Sequence, residues 1–399
     1  MADERDFRGV LQHMVSVGAS DLHLKVGAPP TLRIDGVLFS LEQPPCTPAE
    51  IQALIDALLP SDKVSGFKHE QELDVAASVP GLARFRVNLC CQRGTVGASF
   101  RLVPPTIPSI AELMLPPVLG ELIQQRQGLI LVTGSTGAGK STTLAAMIDH
   151  INHLETRKVV TIEDPIEYLH RDDRCLIYQR EIGQDTHSFA HALRHVLRQD
   201  PDIILIGEIR DVETLSIALT AANTGHLVVT TLHTADAVHS IQRILSYYPP
   251  HEQDEIRRTV ADNLRAVISQ RLLPRAGGQG RVAAVEVMIN TGTIRTYILD
   301  PAKTPLIRDA IQDGVSQYKM QSFDQALVNL VRDGSVTPEN AIRFASQPNE
   351  VALHLQGVAG LSSRVWSPAD LPGADHSAEP PWVDASFDVR KDPRRPRAA

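Results

Sequence analysis

The sequence predicts an α/β protein in two parts, a small α+β module followed by a larger domain built on a parallel sheet. Three observations carry this. From about Leu119 onward, short and fully apolar runs alternate with helical patterns, as buried parallel strands and their crossover helices require. Upstream, helical spacing and short alternating runs are mixed with turn pairs. Between the two stands a proline-rich stretch, Pro104-Pro105-Thr106-Ile107-Pro108 with Pro116-Pro117 after it, which reads as a stiff connection. The expected division is 1–103, a linker at 104–118, a larger domain at 119–355 and a tail at 356–399.

In the first part, Phe7, Val10, Leu11, Met14 and Val15 recur at helical spacing and predict an amphipathic helix ending near Gly18. Strand-like runs follow at 22–26 and 32–39, the second broken by Asp35-Gly36, and then a helix at 51–59 before Pro60. Alternating strands are expected at 83–89 and 96–103. In the second part, 129–133, 159–162, 203–206 and 227–231 read as buried strands, and helical patterns continue through 341–355. Beyond that, the Pro-, Ala- and charge-rich 362–399 is expected to be disordered.

A chain of 399 residues suits two cores rather than one. Aromatic residues make up 4% of the chain and the formal net charge is −8, which argues against a base-stacking surface and a general phosphate-backbone binder. No nucleic-acid partner is expected. Cys46, Cys90, Cys91 and Cys175 include no C-x-x-C pair, so reduced, buried thiols are expected rather than zinc or disulfides. No apolar run is long enough to span a membrane, and the charged opening MADERDFRGV is unlike a signal peptide. A cytoplasmic protein is expected, touching membrane through a partner.

The strongest motif is Gly134-Ser135-Thr136-Gly137-Ala138-Gly139-Lys140-Ser141, followed by Thr142, a complete G-x-x-x-x-G-K-[ST] between an apolar strand and a helix. Its glycines let backbone N–H groups face phosphate oxygens, and the helix N-terminus adds partial positive charge. Lys140 is expected on the β and γ phosphates of ATP and the Ser141 hydroxyl on Mg²⁺. Three strands then end in polar clusters. Glu208 follows the apolar 203–206, where α/β sheets place ligands, and can hold Mg²⁺; on spacing alone it serves equally as a structural partner of Arg210. Glu163-Asp164-Pro165-Ile166-Glu167 follows 159–162, and a carboxylate there can orient and deprotonate a water, or simply cap a turn. His226 and His233 flank the third strand, and either can sense the γ-phosphate or serve structure alone.

The order of these motifs resembles the secretion ATPase superfamily: a Walker A loop, an acidic box around Glu163, a Walker B segment ending in Glu208 and a histidine box from Gly225 to His233. The likeness runs from about Phe7 to Leu355. It implies a RecA-like P-loop core behind an N-terminal PAS-like domain, with Glu163 as the catalytic glutamate and Glu208 as the Mg²⁺ and water-positioning one. It places His233 near the γ-phosphate. It further implies that arginines of the small domain serve a neighbouring subunit, here Arg86 and Arg101, which alternate with apolar residues on their strands. Within the superfamily, Ala19-Ser20-Asp21-Leu22-His23 and Met320-Gln321-Ser322-Phe323-Asp324-Gln325 are similar to the type IV pilus retraction group. Assembly and type II secretion ATPases add an N-terminal domain and two C-x-x-C pairs, which this chain lacks. The family's helical A-I-R-N-L-I-R-E segment is matched loosely by Thr293-Ile294-Arg295-Thr296-Tyr297-Ile298-Leu299-Asp300. The resemblance implies a homo-hexameric, ATP-hydrolysing motor at the inner membrane, acting on a pilus platform protein. The alternatives are an accessory retraction motor, an assembly or secretion ATPase, and a nucleotide-gated scaffold that does not hydrolyse ATP.

Overall fold

Two sheets, each with its own apolar core, organise the chain. A computed structural model describes residues 6–356, apart from 35, 60 and 105. In the first unit α1 (Phe7–Ser16) buries Phe7, Val10, Leu11 and Met14, and Asp6 caps it by accepting from the Gly9 N–H. Strands β1 (Asp21–Lys25), β2 (Thr31–Ile34) and β3 (Val37–Ser40) lead to α2 (Pro48–Leu58), which Thr47 and Glu50 start as a capping box. Then come α3 (Ser61–Glu70), β4 (Glu72–Val79), β5 (Ala83–Gln92) and β6 (Thr95–Leu102). They form an antiparallel sheet in the order β3-β2-β1-β6-β5-β4. Phe85 and Phe100 meet edge to face at 6.3 Å in its core, which fixes the neighbouring arginines of the same strands on the opposite face.

The second unit begins at α4 (Val118–Leu122). It continues through β7 (Gly128–Gly134), α5 (Lys140–Leu154), β8 (Lys158–Glu163), β9 (Leu176–Glu181), α6 (Phe189–Val196), β10 (Ile203–Ile206), α7 (Val212–Asn223) and β11 (Leu227–Leu232). After these come α8 (Ala237–Ser246), α9 (Gln253–Asn263), β12 (Leu264–Pro274), β13 (Arg281–Ile289) and α10 (Gly292–Leu299). Five short helices from α11 (Ile307–Asp313) to α15 (Pro348–Leu355) close the described chain, α12 (Val315–Tyr318), α13 (Phe323–Arg332) and α14 (Pro338–Phe344) lying between. The sheet runs β13-β12-β7-β11-β10-β8-β9, parallel except where β13 turns back along β12. The central strands β7, β10 and β11 are buried throughout, as a sheet covered on both faces demands.

Several expectations are corrected. The helical pattern does not run unbroken to the C-terminus, because β12 and β13 intervene, and the sheet is mixed rather than wholly parallel. Strands β4 and β9 and helix α3 join the expected elements. Cys46 and Cys175 are buried thiols, whereas Cys91 is exposed and Cys90 half-buried; none of the four forms a disulfide. Ile110 and Leu115 of the proline-rich connection are buried against the second sheet. The loosely matched segment forms α10, with Ile294 and Ile298 buried and Arg295 paired to Asp262 at 2.7 Å. The expected tail lies outside the described residues. Among them, no helix is long and apolar enough to cross a membrane.

Candidate functional site

A cleft of about 560 Å³ opens at the C-terminal ends of β7, β8, β10 and β11, with the face of β5 and β6 that carries Arg86 and Arg101 as its opposite wall. Its floor is the loop from Gly134 to Gly139. Gly134 has φ +147°, and a Cβ there would stand 2.6 Å from the Gln270 carbonyl oxygen, so only glycine fits. Gly139, at φ +90°, is the N-cap of α5 and hands the chain to Lys140 and Ser141 in the first turn. The Lys140 ammonium donates to the Gly134 and Ser135 carbonyls, both at 3.0 Å. Burial lowers its pKa, and the Glu208 and Glu167 carboxylates work the other way. Thr142 Oγ1 and the Tyr168 hydroxyl are 3.0 Å apart, tying α5 to the acidic loop.

Glu163 ends β8 at the inner wall of the cleft. Thr161 Oγ1 donates to its Oε1 at 2.7 Å and Gln179 Nε2 at 3.2 Å, while the Glu167 N–H donates to Oε2 at 3.4 Å. Burial pushes this carboxyl up and outweighs the three donors, so it holds a proton more readily than an ordinary carboxylate. A carboxylate so poised can take a proton from water.

Glu208 follows β10 and sits between Arg210 and His233. Arg210 Nη2 donates to its Oε1, and His233 Nε2 lies 3.5 Å from Oε2. Burial raises the Glu208 pKa, but Arg210 and His233 together hold it below the ordinary value. Arg210 Nη1 also reaches Asp164 Oδ2 at 3.6 Å. The pairing with Arg210 and the cleft position are therefore both real, and neither excludes the other.

His226 and His233 stand at opposite ends of β11. His226 shares hydrogen bonds with the Ala221 carbonyl and Thr224 at the foot of the sheet, away from the cleft. Of the two, only His233 belongs to the site.

Arg86 and Arg101 are cross-strand partners on β5 and β6, and each is held by a carboxylate. Arg86 Nη1 donates to Glu167 Oε1 at 3.1 Å, and Arg101 Nε donates to Asp21 Oδ1 at 2.8 Å. Both line the cleft that contains Lys140 of their own chain, so no second copy is needed to bring them to it. Asp21 is 8% exposed; burial raises its pKa, and Arg101 with Ser20 more than reverses that.

The sequence reading missed Thr161, Tyr168, Gln179 and His170. Burial pushes the His170 imidazole down to about 4, so it is neutral, and its buried Nδ1 has no partner among the described residues. None of the four stands in a recognisable motif. Asp21 carried a signal, since it lies in the Ala19-to-His23 segment.

The family model described as Type II/IV secretion system protein matches residues 4–304. The type IV pilus retraction ATPase PilT of Pseudomonas aeruginosa is 44% identical over 343 residues, which are 86% of this chain and 99% of that protein. The type IV pilus ATPase PilU of the same organism is 37% identical, over 88% of this chain and 91% of its own. The crystal structure of the pilus retraction motor PilT with bound ADP superposes with a TM-score of 0.81 at 42% identity, covering 87% of this chain and 99% of that one. The Legionella pneumophila ATPase DotB gives 0.70 at 28% identity, covering 86% and 97%.

Proposed function

The chain belongs to the Type II/IV secretion system protein family and is an ATPase, and from that premise we propose that it is the motor that retracts type IV pili. The observation that carries this reading is the end-to-end likeness to PilT, which spans 99% of that protein and includes both sheets of this one. In the mechanism proposed, the loop N–H groups and Lys140 hold the phosphates of ATP, with Lys140 leaving the Gly134 and Ser135 carbonyls to do so. Glu163, its carboxylate turned by Thr161 and Gln179, accepts the proton of the attacking water. Arg86 and Arg101 exchange their carboxylate partners, Glu167 and Asp21, for phosphate oxygens, which draws the small sheet onto the nucleotide. His233 keeps the Glu208 carboxylate oriented.

The oxygen donors Ser141 and Glu208 fit a hard cation such as Mg²⁺. Bound with ATP, the ion would neutralise phosphate charge. We propose further that six copies form a ring at the cytoplasmic side of the inner membrane, working on a platform protein so that pilin returns to the membrane.

Complementation tests the direction of work. Expressed in Pseudomonas aeruginosa lacking PilT, the chain is expected to restore twitching zones, and its Lys140→Ala variant is not. Restored piliation in a strain that lacks its assembly ATPase, without restored twitching, would overturn retraction in favour of assembly. Twitching restored only where PilU is absent would assign the accessory role.

A further inference from the structure

The two sheets also meet along a seam beside the cleft, bordering a second cavity of about 410 Å³ that Glu181 lines together with Arg86 and Arg101. Glu181 is the last residue of β9, in parallel register beside Glu163 at the end of β8. It is 3% exposed. Its Oε2 accepts twice: from Arg84 Nη2 at 3.0 Å, reaching across from β5, and from the Ile166 N–H at 3.2 Å, inside the acidic loop. The Ile182 N–H donates to the Glu163 carbonyl at 2.9 Å, so the same strand end holds the backbone of Glu163 as well. On the other side, Arg84 is two residues from Arg86 and shares its face of β5. Lys63 Nζ to the Gly183 carbonyl, 2.8 Å, and Gln184 Nε2 to the Ala76 carbonyl, 3.3 Å, complete the seam.

We infer that Glu181 and Arg84 are positioning residues that couple the placement of the small sheet to the loop carrying Glu163 and Glu167. One oxygen atom binds both the strand that presents Arg86 and the loop that presents the acids, so neither can shift without straining a bond to the other. A buried carboxylate cannot exchange these donors for water at low cost, whereas Arg86 holds the half-exposed Glu167, a partner that can be traded, and Arg101 is itself exposed above its buried partner Asp21. Glu181 is thus a fixed pivot, and Arg86 is the moving contact. When phosphate draws Arg86 inward, β5 turns about Arg84 and the pull arrives at Ile166, three residues from Glu163. Arg84 lines neither cavity and Glu181 lines only the adjoining one, so neither is assigned a contact with ATP.

This inference rests on the ATPase reading, and the experiment separates the two. Steady-state phosphate release and the affinity for a fluorescent ATP analogue are measured on the full chain for wild type, Arg84→Ala, Arg84→Lys, Glu181→Gln and the Arg84→Ala/Glu181→Gln double variant. Coupling predicts that Arg84→Ala and Glu181→Gln each lower kcat about tenfold while affinity stays within about twofold. The double variant is then no worse than the weaker single one, and Arg84→Lys recovers most of the rate. A lowered melting temperature with wild-type kcat in all variants would mean a seam that only stabilises. A parallel fall in kcat and affinity would mean a direct nucleotide contact, and additive losses would mean two unconnected roles. Each of these overturns the coupling. Lys140→Ala is the control for the premise: turnover surviving that change counts against the ATPase site, whereas a dead Lys140→Ala beside a normal Arg84→Ala counts against the coupling alone.

Discussion

Glu163 and Glu208 are two carboxylates at the ends of neighbouring strands whose surroundings push them in opposite directions. Burial lifts the Glu163 pKa against its three hydrogen-bond donors, while Arg210 and His233 keep Glu208 ionised in spite of burial. Divergent environments of this kind separate the roles of like residues, one suited to take up a proton and the other to remain charged. Replacing Glu163 by Gln preserves its shape and removes the base. ATP should still bind, and turnover should fall at least about a hundredfold. The sign of the pH effect follows from the raised pKa, because the base works only when deprotonated. Wild-type turnover should therefore fall on the acid side at a pH above the ordinary glutamate value of about 4.5. An acid limb at or below that value, measured under saturating ATP, would remove Glu163 from the role of base.

At the scale of elements, what was legible in the sequence follows from how each strand is covered. β7, β10 and β11 are buried on both faces and read as continuous apolar runs, so their positions and the polar clusters after them were evident. β9 is an edge strand in which Leu176 and Tyr178 are exposed, and nothing in Leu-Ile-Tyr-Gln-Arg-Glu marks it as part of a sheet. Gln179 and Glu181 were illegible for the same reason, since their partners are supplied by register with β8 rather than by nearby sequence. β12 conceals itself differently. Ser269 and Gln270 interrupt its apolar pattern yet are buried, because Thr133 Oγ1 donates to Ser269 and Gln270 Nε2 donates to Thr143.

Beside β12, β13 buries Glu286, where it accepts from the Ala237 N–H that starts α8. Burial and the Asp236 charge raise its pKa to about 7, against the pull of Arg271, Arg308 and the Ala237 N–H. For an acid whose folded pKa is raised, the stability present at low pH is lost as pH climbs from the ordinary value near 4.5 through about 7. Glu286→Gln cannot ionise, so its melting temperature relative to wild type should rise between pH 5 and pH 8, by an amount worth about 3 kcal/mol at most. A difference that is flat with pH would show that Glu286 titrates as an ordinary carboxylate.

For the whole molecule, the question is whether the arginines of the small sheet serve their own ATP or that of a neighbour. The family resemblance implied a neighbour, yet Arg86 and Arg101 line the cleft of their own chain, opposite its own Lys140. The folded chain therefore contains the phosphate loop, both glutamates and both arginines without a partner. In other enzymes an arginine that meets the transferring phosphoryl is worth roughly a thousandfold or more in rate, so Arg101→Ala should be nearly inactive on either account. Mixing distinguishes them. If the arginine acts on its own chain, a subunit with Lys140→Ala and one with Arg101→Ala each lack a part that the other cannot lend, and mixed rings stay inactive at every ratio. If it acts across the interface, some interfaces of a mixed ring join an intact loop to an intact arginine, and phosphate release recovers at intermediate ratios. The control is a titration of wild type with Lys140→Ala subunits. Activity that falls in proportion to dilution shows that a ring tolerates inactive members, and only then does failure of the two variants to rescue one another place the arginines in cis. Recovery in the mixed rings would reverse that assignment and make the neighbouring subunit part of the site.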